Sequence, residues 1–295
     1  KDTPFGRKRK INLSSCNKDF SCLNGFCPSF VTVEGATRRK KQIADLDAQR
    51  LTADLPTPEL PTLSRPFDLL VTGVGGTGVV TVGALITMAA HLEGKGSSVL
   101  DFTGFAQKFG TVLSYIRLAK TPEDVHQVRT DQGSADAVIA CDAVVSSAPK
   151  ASAHYRAGAQ VAMNLAEMPT GDIVLRRDAS LDIPARARAV ASVVGAENVA
   201  ALNANAVAET LLGDAVLANV IMLGFSWQQG LVPVSLSALQ QAIVLNGVAI
   251  EKNQLAFAIG RTLAAAPDRL AAQYSEDTPE EETLQQLIDR RAAFL

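Results

Sequence analysis

Between Phe67 and Leu92 the chain reads FDLLVTGVGGTGVVTVGALITMAAHL, two apolar stretches separated by the glycine-rich GVGGTG. A short apolar run ending in glycines, then a longer run of helical length, is a strand, a tight turn and a helix. SSVLD at 97–101 follows as a second strand, which makes a βαβ unit. Such a crossover commits the chain to a mostly parallel sheet covered by helices.

The rest of the sequence extends the pattern. Further strands are expected at TVLSYIRLA (111–119), DAVIACD (136–142), AQVAMN (159–164), GDIVLR (171–176) and NVAALN (198–203). From about Ala204 to Leu295 helical patterns dominate: AVAETLLG, AVLANVIMLGFSWQQG, SLSALQQAIVLNG and IEKNQLAFAIGRTLAAA. The expected fold class is α/β, a Rossmann-like open sheet with a helical C-terminal portion, preceded by a small cysteine-rich segment. The boundaries read as 1–36 for that segment, 37–66 for a charged linker containing PTPELPTLSRP, and 67–295 for the α/β domain.

Gly73, Gly75 and Gly78, with Gly76 between them, set GxGxxG between a strand and a helix. That context suits close backbone approach to a diphosphate at a helix start, with Asp101 at the end of the second strand where a ribose-binding acid sits. On this pattern a reductase using NAD(P) or a flavin is one reading. Close packing of helix on sheet is the other, because fold does not settle function. Gln107 and Lys108, in GFAQKFG just past the second strand, are candidates for holding a phosphate or carboxylate, and equally ordinary surface residues.

Three of the four cysteines, Cys16, Cys22 and Cys27, lie in CNKDFSCLNGFCPSF as CxxxxxCxxxxCP. Bacterial ferredoxin runs also end in Cys-Pro, and loops containing Asp19, Asn24 and Gly25 can fold three thiolates round an iron-sulfur cubane. The basic runs RKRK (7–10) and RRKK (38–41) would offset the cluster's negative charge and steer an acidic ferredoxin. A structural zinc site with a distant fourth ligand, or three free thiols, are the competing readings. Cys141, alone in DAVIACD, reads as a core residue.

A net charge of −2 gives no global reason to expect nucleic acid or an anionic membrane as partner. No apolar run approaches the roughly 18–20 residues of a membrane span. The sequence opens on KDTPFGRKRK, with neither an initiating Met nor a secretory signal, so a cytoplasmic setting and a piece of a longer chain are expected.

SSCNKDFSCLNGFCPSFVTVEGA, GVGGTGVVTVGALI and AQKFG, in this order and spacing, resemble the C-terminal part of the fused bacterial indolepyruvate ferredoxin oxidoreductases, within the 2-oxoacid:ferredoxin oxidoreductases. The likeness covers nearly the whole chain, with residues 67–295 matching the gamma, or catalytic domain III, type. It implies oxidative decarboxylation of indolepyruvate or another aryl 2-oxoacid to an acyl-CoA, with electrons passing through [4Fe-4S] clusters to ferredoxin. Thiamin diphosphate and Mg would belong to a preceding region of the parent enzyme, coenzyme A would be co-substrate, and a homodimer is expected. Catalytic residues are then expected outside this chain. Two departures stand out: Phe109 replaces the glycine that often follows the lysine, and the thiamin-binding GDG is absent, its nearest approach being Gly213-Asp214-Ala215. A non-catalytic assembly module is the third reading of the α/β part.

Overall fold

A computed structural model of the chain describes residues 2–3, 6–7, 35, 46–103, 110–168, 180–271, 273–274 and 283–294. The one-turn helix α1 (Ala48–Thr52) is started by Asp47, whose side chain accepts from the Gln49 amide. The segment that follows packs against the core through Leu60 and Leu63. It is tied down by Gln228 Nε2, which donates to the Pro56 carbonyl at 2.5 Å, and by Arg269, which donates to the carbonyls of Leu51 and Ala53 at 2.9 and 2.6 Å.

The apolar run becomes β1 (Phe67–Val74), buried from Asp68 onward because it lies inside a sheet covered on both faces. Helix α2 (Val79–Leu92) follows the glycine turn, and β2 (Gly96–Thr103) and β3 (Thr111–Ala119) form an antiparallel pair. Then come β4 (Ala135–Ala140), α3 (Ala143–Ser147), α4 (Pro149–Ser152), β5 (Tyr155–Asn164), α5 (Ile183–Val194) and β6 (Val199–Leu202). The C-terminal helices are α6 (Ala204–Val207), which runs into a π-helical turn over Ala208–Leu212, α7 (Ala218–Gln228), α8 (Leu236–Asn246), α9 (Ile250–Ala265) and α10 (Leu284–Phe294).

Apart from a two-residue antiparallel pair, Asp2–Thr3 with Gly6–Arg7, the strands form one six-stranded sheet ordered β2–β3–β1–β4–β5–β6, in which only β3 runs against the others. The α/β expectation therefore holds, with one rearrangement: α2 does lead to a strand parallel to β1, but β3 stands between them. Burial explains the order. Strand β3 is apolar towards both faces, whereas β2 carries Ser97, Ser98 and Asp101 and is largely exposed, which suits an edge. The strand expected at 171–176 lies outside the described residues.

Alternation along the strands builds two cores. Leu69, Val71, Ile116 and Ile139 face the layer formed by α2 and the C-terminal helices, while Leu70, Leu113, Val138 and Met163 face α3 and α5. In the first layer α7 and α9 cross at glycines. A Cβ on Gly224 would lie 2.1 Å from the Phe257 carbonyl oxygen, and one on Gly260 would lie 2.0 Å from that of Ile221. Among the described residues no helix is long and apolar enough to cross a membrane.

Candidate functional site

Adjacent parallel strands whose connections leave in opposite directions open a crevice at their carboxyl ends. Here those strands are β1, which leads through α2 towards β2, and β4, which leads through α3 towards β5. The glycine turn lies on the β1 side. Gly78 caps α2 with φ 98°, a left-handed conformation that a side chain disfavours. Gly73 allows the close approach, since a Cβ there would meet Val79 Cγ2 at 2.6 Å and Cys141 Cβ at 3.1 Å.

The turn is held by the protein itself. The Gly75 amide donates to the Gly110 carbonyl at 2.8 Å, and the Thr77 hydroxyl donates to the Val74 carbonyl at 2.7 Å. From α7, Asn219 Nδ2 donates to the Thr77 carbonyl at 2.8 Å. No side chain caps α2, so its first amides have no side-chain acceptor.

On the β4 side, Asp142 is buried and caps α3, its Oδ1 accepting from the Val145 amide at 2.7 Å. Its Oδ2 is buried and has no hydrogen-bond partner among the described residues. Burial pushes this carboxyl above its ordinary range, against the opposing pull of the Val145 and Val144 amides and the charge of Arg186. Asn164, at the end of β5, donates through Nδ2 to the Cys141 carbonyl at 3.2 Å and to Asn205 Oδ1 at 2.9 Å. Its Oδ1 accepts from the amides of Ala166 and Ala204 at 3.1 and 3.0 Å, which pins the ends of β4, β5 and β6 together.

Val74, Thr77, Cys141, Asp142, Asn205 and Asn219 line a crevice of about 10 Å³, comparable to the space that one water needs. As bounded by the described residues, it suits one small hydrogen-bonding group beside a carboxyl that burial biases towards its protonated form.

The expected site residues fall into three groups. Gly73, Gly75, Gly76 and Gly78 lie at the end of β1 and in the turn before α2, next in sequence to Val74 and Thr77, which line the crevice. Asp101 is on β2, separated from β1 by β3, and its carboxylate accepts from the Ser114 hydroxyl. Gln107 and Lys108 lie outside the described residues, as do Cys16, Cys22 and Cys27. Thr103, the last residue of β2, and Gly110, whose carbonyl accepts from Gly75, are at the same edge of the sheet as the glycine turn. Asp142 was not among the expected residues, although an Asp that follows an apolar strand and opens a helix carries a capping signal. Asn164, Asn205 and Asn219 carry no local signal; the sheet order brings them together.

The described residues do not fit a cluster or a thiamin diphosphate site. Cys141 is free and buried, and burial, then the charge of Asp142, pushes its thiol up to about 12, the reverse of a metal-binding thiolate. Asp214 caps a short 3-10 turn by accepting from the Val216 amide at 3.1 Å. No group of three metal-ligating side chains occurs among the described residues.

Comparison with known proteins gives the family. Residues 68–263 match the family described as pyruvate ferredoxin/flavodoxin oxidoreductase. The indolepyruvate oxidoreductase subunit IorB of Thermococcus kodakarensis is 32% identical over 80 residues, which is 27% of this chain and 38% of that protein. The subunit of the same name from Pyrococcus horikoshii is 31% identical over 80 residues, with the same coverage of each chain. Among solved structures, the gamma subunit of a keto/oxoacid ferredoxin oxidoreductase from Geobacter sulfurreducens aligns with a TM-score of 0.47 at 20% identity, over 67% of this chain and 98% of that one. The family match runs from the second residue of β1 into α9 and takes in the rest of the six-stranded sheet and the crevice, so the chain belongs to the pyruvate ferredoxin/flavodoxin oxidoreductase family.

Proposed function

We propose that this chain is the cluster-bearing and gamma-type portion of a 2-oxoacid:ferredoxin oxidoreductase whose substrate is indolepyruvate or a similar aryl 2-oxoacid. The family match over residues 68–263 carries the reading, and the 32% identity to IorB over 80 residues favours the aryl substrate. In the reaction the bond between the carboxylate and the 2-oxo carbon breaks and carbon dioxide leaves. The acyl carbon bonds to the sulfur of coenzyme A, two electrons pass singly to two ferredoxins, and one proton is released. Thiamin diphosphate, bound with Mg in a region outside this chain, would supply the carbon chemistry. Iron-sulfur centres, one held by Cys16, Cys22 and Cys27, would carry the electrons.

The α/β part holds the catalytic region and partners in position on this reading. That role is supported by a glycine turn whose Gly75 amide and Thr77 carbonyl are already bonded within the protein, and by Asp101 lying two strands away from it. Both features weigh against a stand-alone dinucleotide reductase, which needs the turn and the acid on neighbouring strands. Homodimeric assembly and a cytoplasmic setting belong to the same proposal, as does a ferredoxin guided by the basic runs at 7–10 and 38–41.

The cysteine assignment has a direct test. In the anaerobically purified full enzyme, replacing Cys16, Cys22 and Cys27 by Ser should lower the iron content by about one cluster and remove the matching reduced-state resonance from the electron paramagnetic spectrum. Unchanged iron and an unchanged spectrum would refute the assignment; retained zinc in place of iron would select the structural-metal reading.

A further inference from the structure

At the opposite end of the strands from the glycine turn, about 23 Å away by the rise of β1, the amino edge of the sheet holds a half-open cavity of about 390 Å³. Its volume is in the range of small-molecule sites. Three separate parts of the fold build it: the segment ahead of β1, the starts of β4 and β5, and the turn after α7 at Gly230 and Leu231.

The charge within this cavity is unbalanced. Asp136, at the start of β4, is buried, with 3% of its side chain exposed. Arg65 binds it with two hydrogen bonds of 2.6 and 3.1 Å, and Arg156 approaches it at 2.9 Å. The Asp68 amide donates to it at 3.1 Å. Two guanidiniums thus share one carboxylate, leaving one positive charge uncompensated among the cavity's lining residues. Both arginines face the opening, with 58% and 47% of their side chains exposed, and each has five N–H donors, so donors remain free after Asp136 is served. Asp68 also attracts Arg65 but is itself paired with Arg117 through two hydrogen bonds of 2.7 and 2.8 Å, so that second pair adds no net charge.

The backbone is bent to produce this arrangement. Between β4 and β5 the register jumps from Ala135↔Tyr155 to Ala137↔Gln160, so β5 bulges outward over residues 156–159. Gly158 takes φ 82° within the bulge, with nothing within 4 Å of where a Cβ would stand. Bulges of this kind re-aim side chains at sites. Here the bulge brings Arg156 to Asp136 and leaves Gln160 on the cavity wall, while Phe67 and Leu231 supply apolar surface.

We propose that this amino-edge cavity binds a small organic oxyanion, a carboxylate or a phosphate ester, gripped by Arg65 and Arg156 with its carbon part against Phe67 and Leu231. Asp136 is the positioning residue that holds the two guanidiniums in a fixed fork. The cavity's occupancy does not depend on the 2-oxoacid reaction proposed above.

Calorimetric titration of the full chain at constant ionic strength, with benzoate and with inorganic phosphate as separate probes, tests it. Saturable binding of at least one is expected, and the probe that binds distinguishes a carboxylate from a phosphate source. Arg156→Gln should weaken that binding about tenfold, with Arg156→Lys intermediate, while Arg129→Gln, which lies outside the cavity, should leave it unchanged. The wild-type chain alone gives a second readout: the bound probe should protect Arg65 and Arg156, but not Arg129, from phenylglyoxal as mapped by mass spectrometry. Absence of saturable binding by both probes, or binding without protection of Arg65 and Arg156, would overturn the proposal.

Discussion

Asp142 shows how one residue can be set by its place in the fold. It lies where β4 meets α3, with one carboxyl oxygen capping the helix and the other buried without a partner among the described residues. Burial raises its carboxyl above the ordinary value of 3.8, so the folded protein holds a proton that the unfolded chain releases over the window that starts there. The stability tied to this proton is full below 3.8 and is lost as the pH rises through the higher folded value. Asn at this position keeps the capping oxygen and cannot ionise. Urea melts of Asp142→Asn should therefore show its stability relative to wild type rising from pH 4 to pH 7. A difference that stays flat with pH would show that Asp142 does not titrate differently in the two states.

The meeting of α7 and α9 is governed by backbone shape at Gly224 and Gly260, whose missing side chains let each helix touch the other's carbonyl oxygens. Because those oxygens belong to rigid helices, Gly224→Ala should lower stability by about 2 kcal/mol, read as a shift of the urea midpoint at unchanged slope. A neutral result would mean that the helices separate freely. Neither glycine was marked by its sequence, where each sits in an apolar helical run. The elements themselves were legible, because apolar runs bounded by glycines and polar turns carry their own signal: β4, β5 and β6 cover most of DAVIACD, AQVAMN and NVAALN, with terminal residues of the first and last falling outside. Strand order was not legible. Nothing local to TVLSYIRLA says that it inserts between β1 and β2, since that follows from burial on both its faces, a property of the assembled sheet. The site divides in the same way. GVGGTG announces itself, whereas Asn219 reaches Thr77 across 142 residues of sequence, and Asn164 reaches Asn205 across 41.

For the whole molecule, the strand order places a narrow polar crevice at one edge of the sheet and a wider cationic cavity at the other, while the C-terminal helices and the α1 segment close one face. The family match covers the glycine turn, whose Gly75 amide is bonded to the Gly110 carbonyl. The proposed reaction is tested by steady-state ferredoxin reduction by the full enzyme under anaerobic conditions with coenzyme A present, comparing indolepyruvate, pyruvate and 2-oxoglutarate as substrates. An aryl 2-oxoacid oxidoreductase should show coenzyme A-dependent reduction with indolepyruvate at a kcat/KM roughly tenfold or more above the other two, a transition-state preference of about 1.4 kcal/mol. Equal or greater turnover of pyruvate or 2-oxoglutarate, or no reduction with indolepyruvate, would contradict it.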